Sequence, residues 1–385
     1  MNHRTRTLRS ISATLAAATM LSATLVVSVP AVTLAASCNV HEEGSTTVFP
    51  AITAARTSWQ NDPKNNGCSL DLNATGSGNG LDNLRTFHVP LQNFTASSRP
   101  FNKPEESNNL WAWQIGGDAM TFQVSSSANM AFITQITAAQ VQGIWNNTIT
   151  NWNQLGGPSQ AIIADCRIIG SGTRDDMLRL FAISAASETA ACDSRLTTSA
   201  DEAAAAATDF HIVYTSLANV GVANTKELRL SGGSPLSIGN PATFVTPSVL
   251  TVSNGTYPAP RELFLVVNKF STLPANTNTD NTNYVKAYDF INYMASSTGQ
   301  NFVSSVGFVP VSPFVPFPAA DVDLNGVVAL GDLGKITGRW ATSDSTPGWV
   351  RADADRNGTI ALGDIGTVTG KWGLSGAGNA FVAPN

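Results

Sequence analysis

Residues 167–174 read Arg-Ile-Ile-Gly-Ser-Gly-Thr-Arg and lie between an apolar run that includes Ile162-Ile163 and a helical pattern that continues to Phe181. A glycine-hydroxyl loop of this kind presents free amides and hydroxyls at the positive end of a helix, where an anion is stabilised. The planar guanidinium of Arg167 suits forked contact with a tetrahedral oxyanion. The competing roles are ordinary helix capping for the loop and a structural ion pair for Arg167.

Two further segments repeat this arrangement. Residues 44–47, Gly-Ser-Thr-Thr, precede a helical stretch that ends near Trp59, and Pro50 is tolerated in its first turn. Residues 75–80, Thr-Gly-Ser-Gly-Asn-Gly, precede the helical pattern Leu81–Phe87. Three such loops in one chain favour an anion site over three ordinary caps. No GxxxxGK[ST] is present, which excludes a nucleotide-hydrolysing P-loop.

Around these loops, apolar runs typical of strands alternate with helical patterns. Ala119–Val124 and Leu263–Val267 are predicted to be buried strands. Thr137 opens a helix, with Gln140 completing a capping box, and Ala287–Met294 has helical spacing. The alternation predicts an α/β fold.

The order of these motifs resembles that of phosphate-binding proteins of bacterial ABC importers, over about residues 39–312. The matching segments are Gly44-Ser-Thr-Thr-Val, Gly76-Ser-Gly, Ser97-Ser98-Arg99-Pro100, Ile136-Thr137 with Gln140, Ile149-Thr-Asn-Trp152, Arg167 with Gly170-Ser-Gly-Thr-Arg174, Gly299-Gln300 and Gly307-Phe-Val-Pro310. The resemblance implies a type II periplasmic-binding-protein fold over 37–312, in which hinge-crossing strands join two α/β lobes. Lobe 1 is expected over about 37–115 and 258–312, and lobe 2 over about 116–257.

The resemblance also implies a phosphate site in the cleft between the lobes. Its ligands would be Ser45, Thr46, Thr47, Ser77, Ser98, Arg99, Arg167, Ser171, Gly172 and Thr173. Nearly all of these are neutral dipoles, so the anion keeps its charge while losing its water. Some family members place a carboxylate in the third segment, where it accepts the proton of phosphate and repels sulfate. This chain has Ser97-Ser98-Arg99 there, which leaves phosphate and other tetrahedral oxyanions as alternatives.

A separate module follows a proline-rich linker at 313–320. The sequences Asp-Val-Asp-Leu-Asn-Gly from 321 and Asp-Ala-Asp-Arg-Asn-Gly from 353 repeat within a module spanning 321–374, and residues 375–385 form a tail. Their oxygen-bearing side chains have the spacing of a calcium loop. The predicted Ca²⁺ ligands are Asp321, Asp323, Asn325, Val327 and Asp332 in the first loop, and Asp353, Asp355, Asn357, Thr359 and Asp364 in the second. Two Asn-Gly turns with solvated acids are the alternative.

With one helix after each loop, this region resembles a dockerin, a small all-α module of secreted protein assemblies. Recognition residues of dockerins would fall at Leu330-Gly331 and Leu362-Gly363, which differ from the common pairs. A cohesin-like partner, a cell-surface partner and a calcium-stabilised cap are therefore all retained.

The N-terminus has the pattern of an export signal. Basic residues precede an apolar stretch over 11–34, and small residues follow it, so residues 1–36 are expected to be a cleaved signal peptide. A retained membrane anchor and a lipidated Cys38 are the alternatives. In an exported protein the four cysteines predict disulfides. Three connectivities are possible, and the one with the shortest loops joins Cys38 to Cys68 and Cys166 to Cys192.

Several functional classes lack their signature. With 13% charged residues and a pI of about 5.4, the chain has no basic stripe for nucleic acid. No GxSxG or HExxH is present, and His41-Glu42-Glu43 is interpreted as a solvated loop, so no enzyme is predicted. Two functions are retained: phosphate delivery to an ABC permease, and phosphate capture by a protein tethered through its C-terminal module.

Overall fold

A computed structural model describes residues 38–86, 92–99, 110–236, 240–268, 278–310, 329–338, 340–341, 354, 359–370 and 372. The strands are β1 Cys38–Gly44, β2 Cys68–Ala74, β3 Thr95–Ser97, β4 Leu110–Ser125, β5 Gln135–Thr137, β6 Ile163–Arg167, β7 Cys192–Leu196, β8 His211–Ser216, β9 Thr225–Glu227, β10 Arg229–Ser231, β11 Phe244–Val245, β12 Pro260–Asn268 and β13 Val309–Pro310. The α-helices are α1 Phe49–Gln60, α2 Ser77–Thr86, α3 Ala138–Trp145, α4 Gly172–Leu180, α5 Ala185–Ala191, α6 Ser199–Ala206, α7 Val249–Ser253, α8 Asn278–Ala295, α9 Ser297–Ser305, α10 Leu330–Thr337 and α11 Leu362–Thr369. The predicted α/β alternation is confirmed.

Strand β4 connects two halves of the molecule. Its first part pairs antiparallel with β12, from Leu110 to Ala119, and its second part pairs antiparallel with β8, from Met120 to Gln123. The sheet continues from β12 to β3 on one side, and from β8 through β6 to β7 on the other. Strand β4 therefore carries the chain from lobe 1 into lobe 2, and the chain returns to lobe 1 at the start of β12.

Each lobe has its own hydrophobic core. The core of lobe 1 is built from 38–115 and 263–308 and includes Trp59, whose ring packs edge-on against Phe290 at 5.6 Å. The core of lobe 2 is built mainly from 119–259 and includes Phe122, which packs edge-on against Phe181 at 5.4 Å. These two cores fix the surfaces that face each other across the site.

Helix starts follow the predicted caps, with two corrections. The capping box of Thr137 and Gln140 is confirmed at α3, and Pro50 lies in the first turn of α1. Helix α2 begins at Ser77 rather than at Leu81, and α4 begins at Gly172 rather than at Arg174. Gly78 and Gly172 thus lie in the first helical turns, where the lack of a side chain allows the opposite lobe to approach closely, whereas Gly76 and Gly170 precede the helices with positive φ.

The interpretation of His41-Glu42-Glu43 as a solvated loop is wrong. All three residues lie in β1, which pairs in parallel with β2, and Glu42 is 1% exposed. His41 Nδ1 lies 2.8 Å from Asp71 Oδ2 on β2, and its Nε2 lies 3.2 Å from Glu43 Oε1. Consecutive polar residues are kept inside the fold because each finds a partner on the strand or beside it.

The predicted disulfides are confirmed as Cys38–Cys68 and Cys166–Cys192. The first joins the opening residues of β1 and β2, and the second joins β6 to the start of β7. A sulfur in a disulfide cannot also carry a thioether-linked lipid. The lipid-anchor alternative at Cys38 is therefore excluded for the oxidised protein.

The C-terminal repeats form a small core of their own. Ile336, Ala354, Ile360 and Val368 are buried together, and the Ala341 amide donates to the Ile360 carbonyl at 3.0 Å. The linker and the predicted calcium ligands Asp321, Asp323, Asn325, Val327, Asp353, Asp355 and Asn357 lie outside the described residues. Among the residues that are described, no helix has the length and apolarity needed to span a membrane.

Candidate functional site

The ten predicted oxyanion ligands lie together where lobe 1 meets lobe 2. Nine of them are buried, and Thr46 is partly buried. The hydroxyl oxygens of Thr47 in lobe 1 and Thr173 in lobe 2 are 2.9 Å apart. The Gly78 amide donates to the Gly170 carbonyl at 3.0 Å, again from lobe 1 to lobe 2. The structure thus brings the four predicted segments into one cluster.

The first loop is shaped by Ser45. Its amide donates to the Ala96 carbonyl at 2.8 Å, and its hydroxyl accepts from the amides of Thr47 at 3.2 Å and Val48 at 3.3 Å. A Cβ on Gly44 would stand 2.6 Å from the Ala96 backbone, so only glycine permits this approach. The Ser45 oxygen already accepts from two amides, so its own proton is available to a ligand.

The second and third segments meet at two serines. Ser77 opens α2, and its hydroxyl oxygen accepts from the Ser98 amide at 3.1 Å and lies 3.4 Å from the Ser98 hydroxyl. From the opposite lobe, Gly172 approaches so closely that a Cβ there would stand 2.2 Å from the Ser77 hydroxyl oxygen. The N-termini of α2 and α4 therefore face each other across this pair of hydroxyls, and both contribute positive potential.

Arg167 both forms an ion pair and reaches across the cleft. Its Nη1 pairs with the buried carboxylate of Glu202, so the structural ion pair considered as the alternative role is present. Its Nη2 donates to the Thr46 hydroxyl at 2.8 Å and to the Thr197 carbonyl at 2.9 Å. Its Nε is buried and has no hydrogen-bond partner among the described residues. One buried donor of the guanidinium is thus left for a ligand.

Arg99 forms an ion pair from one lobe to the other. Its Nε lies 2.8 Å from Oδ2 of Asp175, which is in the first turn of α4. The Arg99 side chain is 4% exposed and that of Asp175 is 26% exposed, so water reaches the pair from one side. This contact places Arg99 at the junction of the lobes.

Two residues of the cluster were missed by the sequence analysis. Arg261 on β12 donates through Nη1 to the Thr173 hydroxyl at 3.0 Å, and its Nε donates to Asp118 Oδ2 at 2.8 Å. Asp118 is fully buried on β4. The available signal was a charge at the edge of each predicted buried strand, since Asp118 directly precedes Ala119 and Arg261 lies two residues before Leu263.

A buried acid lies directly beneath the first loop. Glu42 Oε1 accepts from the Ala96 amide at 3.0 Å, and the Ala96 carbonyl accepts from Ser45. Burial raises the pKa of Glu42 to about 8 because the ionised form loses its water there. The Glu42 carboxyl and the first loop are therefore linked through the backbone of Ala96, to which both are hydrogen-bonded.

Two α/β lobes that share a strand and meet at buried hydroxyls, helix N-termini and an arginine define the class of two-lobed periplasmic-binding-protein folds. The chain belongs to the PBP superfamily, because a family model described as PBP superfamily domain matches residues 29–298.

Known phosphate-binding proteins are similar to this chain in sequence and in fold. The chain is 27% identical over 272 residues to the phosphate-binding protein PstS of Borreliella burgdorferi, covering 70% of this chain and 88% of that protein. Its fold is similar to that of a Clostridium perfringens substrate-binding protein assigned to phosphate ABC transport and solved with bound phosphate. The TM-score is 0.58 at 22% identity, over 71% of this chain and 99% of that one. An ABC-type phosphate transport receptor from Vibrio cholerae gives a TM-score of 0.54 at 18% identity, over 70% of this chain and 99% of that one. At these identities the solved structures establish the two-lobed fold.

Proposed function

We propose that the protein is an exported solute-binding protein that captures inorganic phosphate between its lobes for ABC import. The observation that carries the proposal is the cluster of buried hydroxyls around Arg167, assembled from four separate segments of both lobes. The printed descriptions of its relatives support phosphate as the ligand and ABC transport as the setting. The proposed ligands are the ten predicted residues.

The geometry suits a small, multiply charged anion. The Arg167 charge is balanced by Glu202, so the wall around the cleft adds little net charge and binds through oriented dipoles. Ser45 and Ser77 accept from backbone amides, which directs their hydroxyl protons elsewhere. Closure removes water from the site and strengthens each of these hydrogen bonds. The same closure would present a defined surface to a permease.

Discrimination against sulfate has to come from groups other than a free carboxylate. Among the described residues, three acids near the cluster pair with an arginine: Asp118 with Arg261, Asp175 with Arg99, and Glu202 with Arg167. A fourth acid, Glu42, lies beneath the first loop and accepts from the Ala96 amide. A proton on bound phosphate would therefore be accepted by a hydroxyl oxygen, and a weaker preference over sulfate is expected than a free carboxylate provides.

The test is calorimetric titration of the exported protein, freed of bound anion, with phosphate, sulfate and tungstate. Phosphate should bind most tightly, with a Kd in the micromolar range or below, about −8 kcal/mol or stronger. Tighter binding of sulfate or tungstate would overturn phosphate as the ligand and leave oxyanion binding in place. Absence of binding by all three would overturn both.

A second function is favoured by the C-terminal module: capture of phosphate by a protein tethered to a surface or to a cohesin-like partner. The module is duplicated in detail, because Asp332 and Asp364 are both fully buried and each accepts, at 2.7 Å, from the amide three residues earlier. Leu330 and Leu362 are each 73% exposed, which gives the two repeats matching apolar surfaces.

We propose that each repeat holds one Ca²⁺ through the predicted ligands. Asp332 and Asp364 fit that role because a buried carboxylate in the first helical turn offers oxygen to a hard cation. Thr359 is exposed, and its backbone carbonyl is the proposed ligand at the seventh position of the second calcium loop. Thermal unfolding of the whole protein with calcium and with EDTA is the test. A calcium-dependent transition supports the proposal, and identical curves contradict it.

A further inference from the structure

We propose that Arg261 is a positioning residue for the oxyanion site, which it serves by orienting the hydroxyl of Thr173. This inference rests on the proposed function. It adds a residue of β12 that orients one of the proposed ligands and does not itself bind the anion. Arg261 lies on β12, its side chain is 1% exposed, and it contacts both Asp118 on β4 and Thr173 in the first turn of α4.

Arg261 is held in place by Asp118, whose two carboxylate oxygens each accept hydrogen bonds. Asp118 Oδ2 accepts from Arg261 Nε at 2.8 Å, and Oδ1 accepts from the Ser216 hydroxyl at 2.9 Å and the Leu217 amide at 2.8 Å. The two strands place Asp118 and Arg261 directly opposite each other in register. A buried pair with these additional hydrogen bonds holds its geometry, so the guanidinium is presented in one orientation.

The direction of the next hydrogen bond follows from chemistry. A guanidinium only donates, so at 3.0 Å the Thr173 hydroxyl oxygen accepts from Arg261 Nη1. The proton of Thr173 then points away from Arg261, and the Thr47 hydroxyl oxygen, 2.9 Å away, is one acceptor within its reach. An oxyanion that enters between these two threonines receives that proton as a ready-made donor. Without Arg261 the hydroxyl loses one of its two hydrogen-bond partners, and part of the binding energy goes into orienting it.

Arg261 and Arg167 act as a matched pair across the cleft. Arg167 from lobe 2 donates to the Thr46 hydroxyl of lobe 1 at 2.8 Å, while Arg261 from β12 donates to the Thr173 hydroxyl of lobe 2. Each threonine is thereby turned into a donor by an arginine whose charge is balanced by a buried acid. The arrangement orients hydroxyls on both sides without adding net charge.

A double-mutant cycle tests the inference with Arg261→Gln, Thr173→Val and both together, by calorimetric titration with phosphate. Each single variant should weaken phosphate binding by about 10- to 100-fold, since each removes a charge-assisted hydrogen bond or the donor that it orients. If Arg261 acts through Thr173, the double variant should bind no more weakly than the weaker single variant. Arg261→Lys should recover part of the affinity. Arg229→Gln, which changes an exposed arginine on β10, is the matched control and should bind as the wild type does.

The contrary outcomes are distinct. Multiplied losses in the double variant, or an Arg261→Gln protein with wild-type affinity and only a lower Tm, would overturn the positioning role. Should Arg261→Gln fail to fold because Asp118 is left buried and unpaired, Asp118→Asn with Arg261→Gln replaces the ion pair by two amides and restores the comparison. Failure of the wild-type protein to bind phosphate would instead refute the proposed function, which is a different measurement.

Discussion

The Nε atom of Arg99 lies 2.8 Å from Oδ2 of Asp175, and this ion pair joins lobe 1 to the first turn of α4 in lobe 2. It is one of several contacts that exist only while the lobes are together. The other contacts described above join hydroxyls, backbone groups or an arginine to a neutral partner, whereas this one pairs two full charges and is partly open to water. It is therefore expected to influence how long the closed form lasts.

Asp175→Asn should shorten the lifetime of the closed form. Loss of the charge weakens the contact with Arg99, so phosphate should dissociate about three- to tenfold faster, with little change in association. Stopped-flow displacement of bound phosphate measures this rate. Asp82→Asn is the control, because Asp82 is an exposed acid that pairs with Arg85 inside α2. An unchanged dissociation rate in Asp175→Asn would show that the pair does not hold the lobes.

Arg167→Lys should weaken phosphate binding by about 100-fold or more. The three donors of an ammonium would at best satisfy Glu202, Thr46 and the Thr197 carbonyl, so none is left for phosphate. Calorimetric titration gives the affinity, and the unfolding midpoint without phosphate gives the cost to the fold. A Lys variant that binds like the wild type would contradict the assignment of Arg167 as a ligand.

Gly172→Ala should prevent closure while leaving each lobe folded. The added Cβ would stand 2.2 Å from the Ser77 hydroxyl oxygen and 2.7 Å from that of Ser98, both in the opposite lobe. Phosphate affinity should fall by at least about 100-fold, with a small change in Tm without ligand. Gly366→Ala in α11 is the matched control, since a Cβ there meets nothing within 4 Å. Equal phosphate affinity in the two variants would refute this explanation.

Stability should fall with rising pH because of Glu42. Its pKa is raised to about 8 in the fold, above the ordinary carboxyl value, so the folded form holds the proton more tightly. The favourable contribution is complete at low pH and is lost as pH rises through about 8, by at most a few kcal/mol. Denaturant unfolding at several pH values should show this slope in the wild type and a flatter one in Glu42→Gln. Glu43→Gln should keep the slope, and if it removes the slope instead, Glu42 is not the responsible group.

The sequence could predict the parts of the site whose residues lie close together along the chain. A glycine-hydroxyl loop before a helical pattern identified three of the four segments, because capping involves residues two to four positions apart. Arg261 and Asp118 are 143 positions apart, and only the register of β4 and β12 brings them together. Glu42 was misjudged for a related reason: three consecutive polar residues suggest solvent, yet a parallel strand beneath helices is buried on both faces.

Because the chain passes through β4 into lobe 2 and later returns to lobe 1, the two lobes cannot complete their folding at the same time. The core of lobe 2 is drawn mainly from one continuous stretch, 119–259, whereas the core of lobe 1 joins residues near 40 to Phe290 and Phe308. Contacts this distant in sequence form late, since the loop between them must close first. During synthesis, lobe 2 can therefore finish folding before the last helices of lobe 1 are available. Until α8 and α9 emerge, the nascent chain exposes the apolar side of β1, and that interval is when it most needs a chaperone.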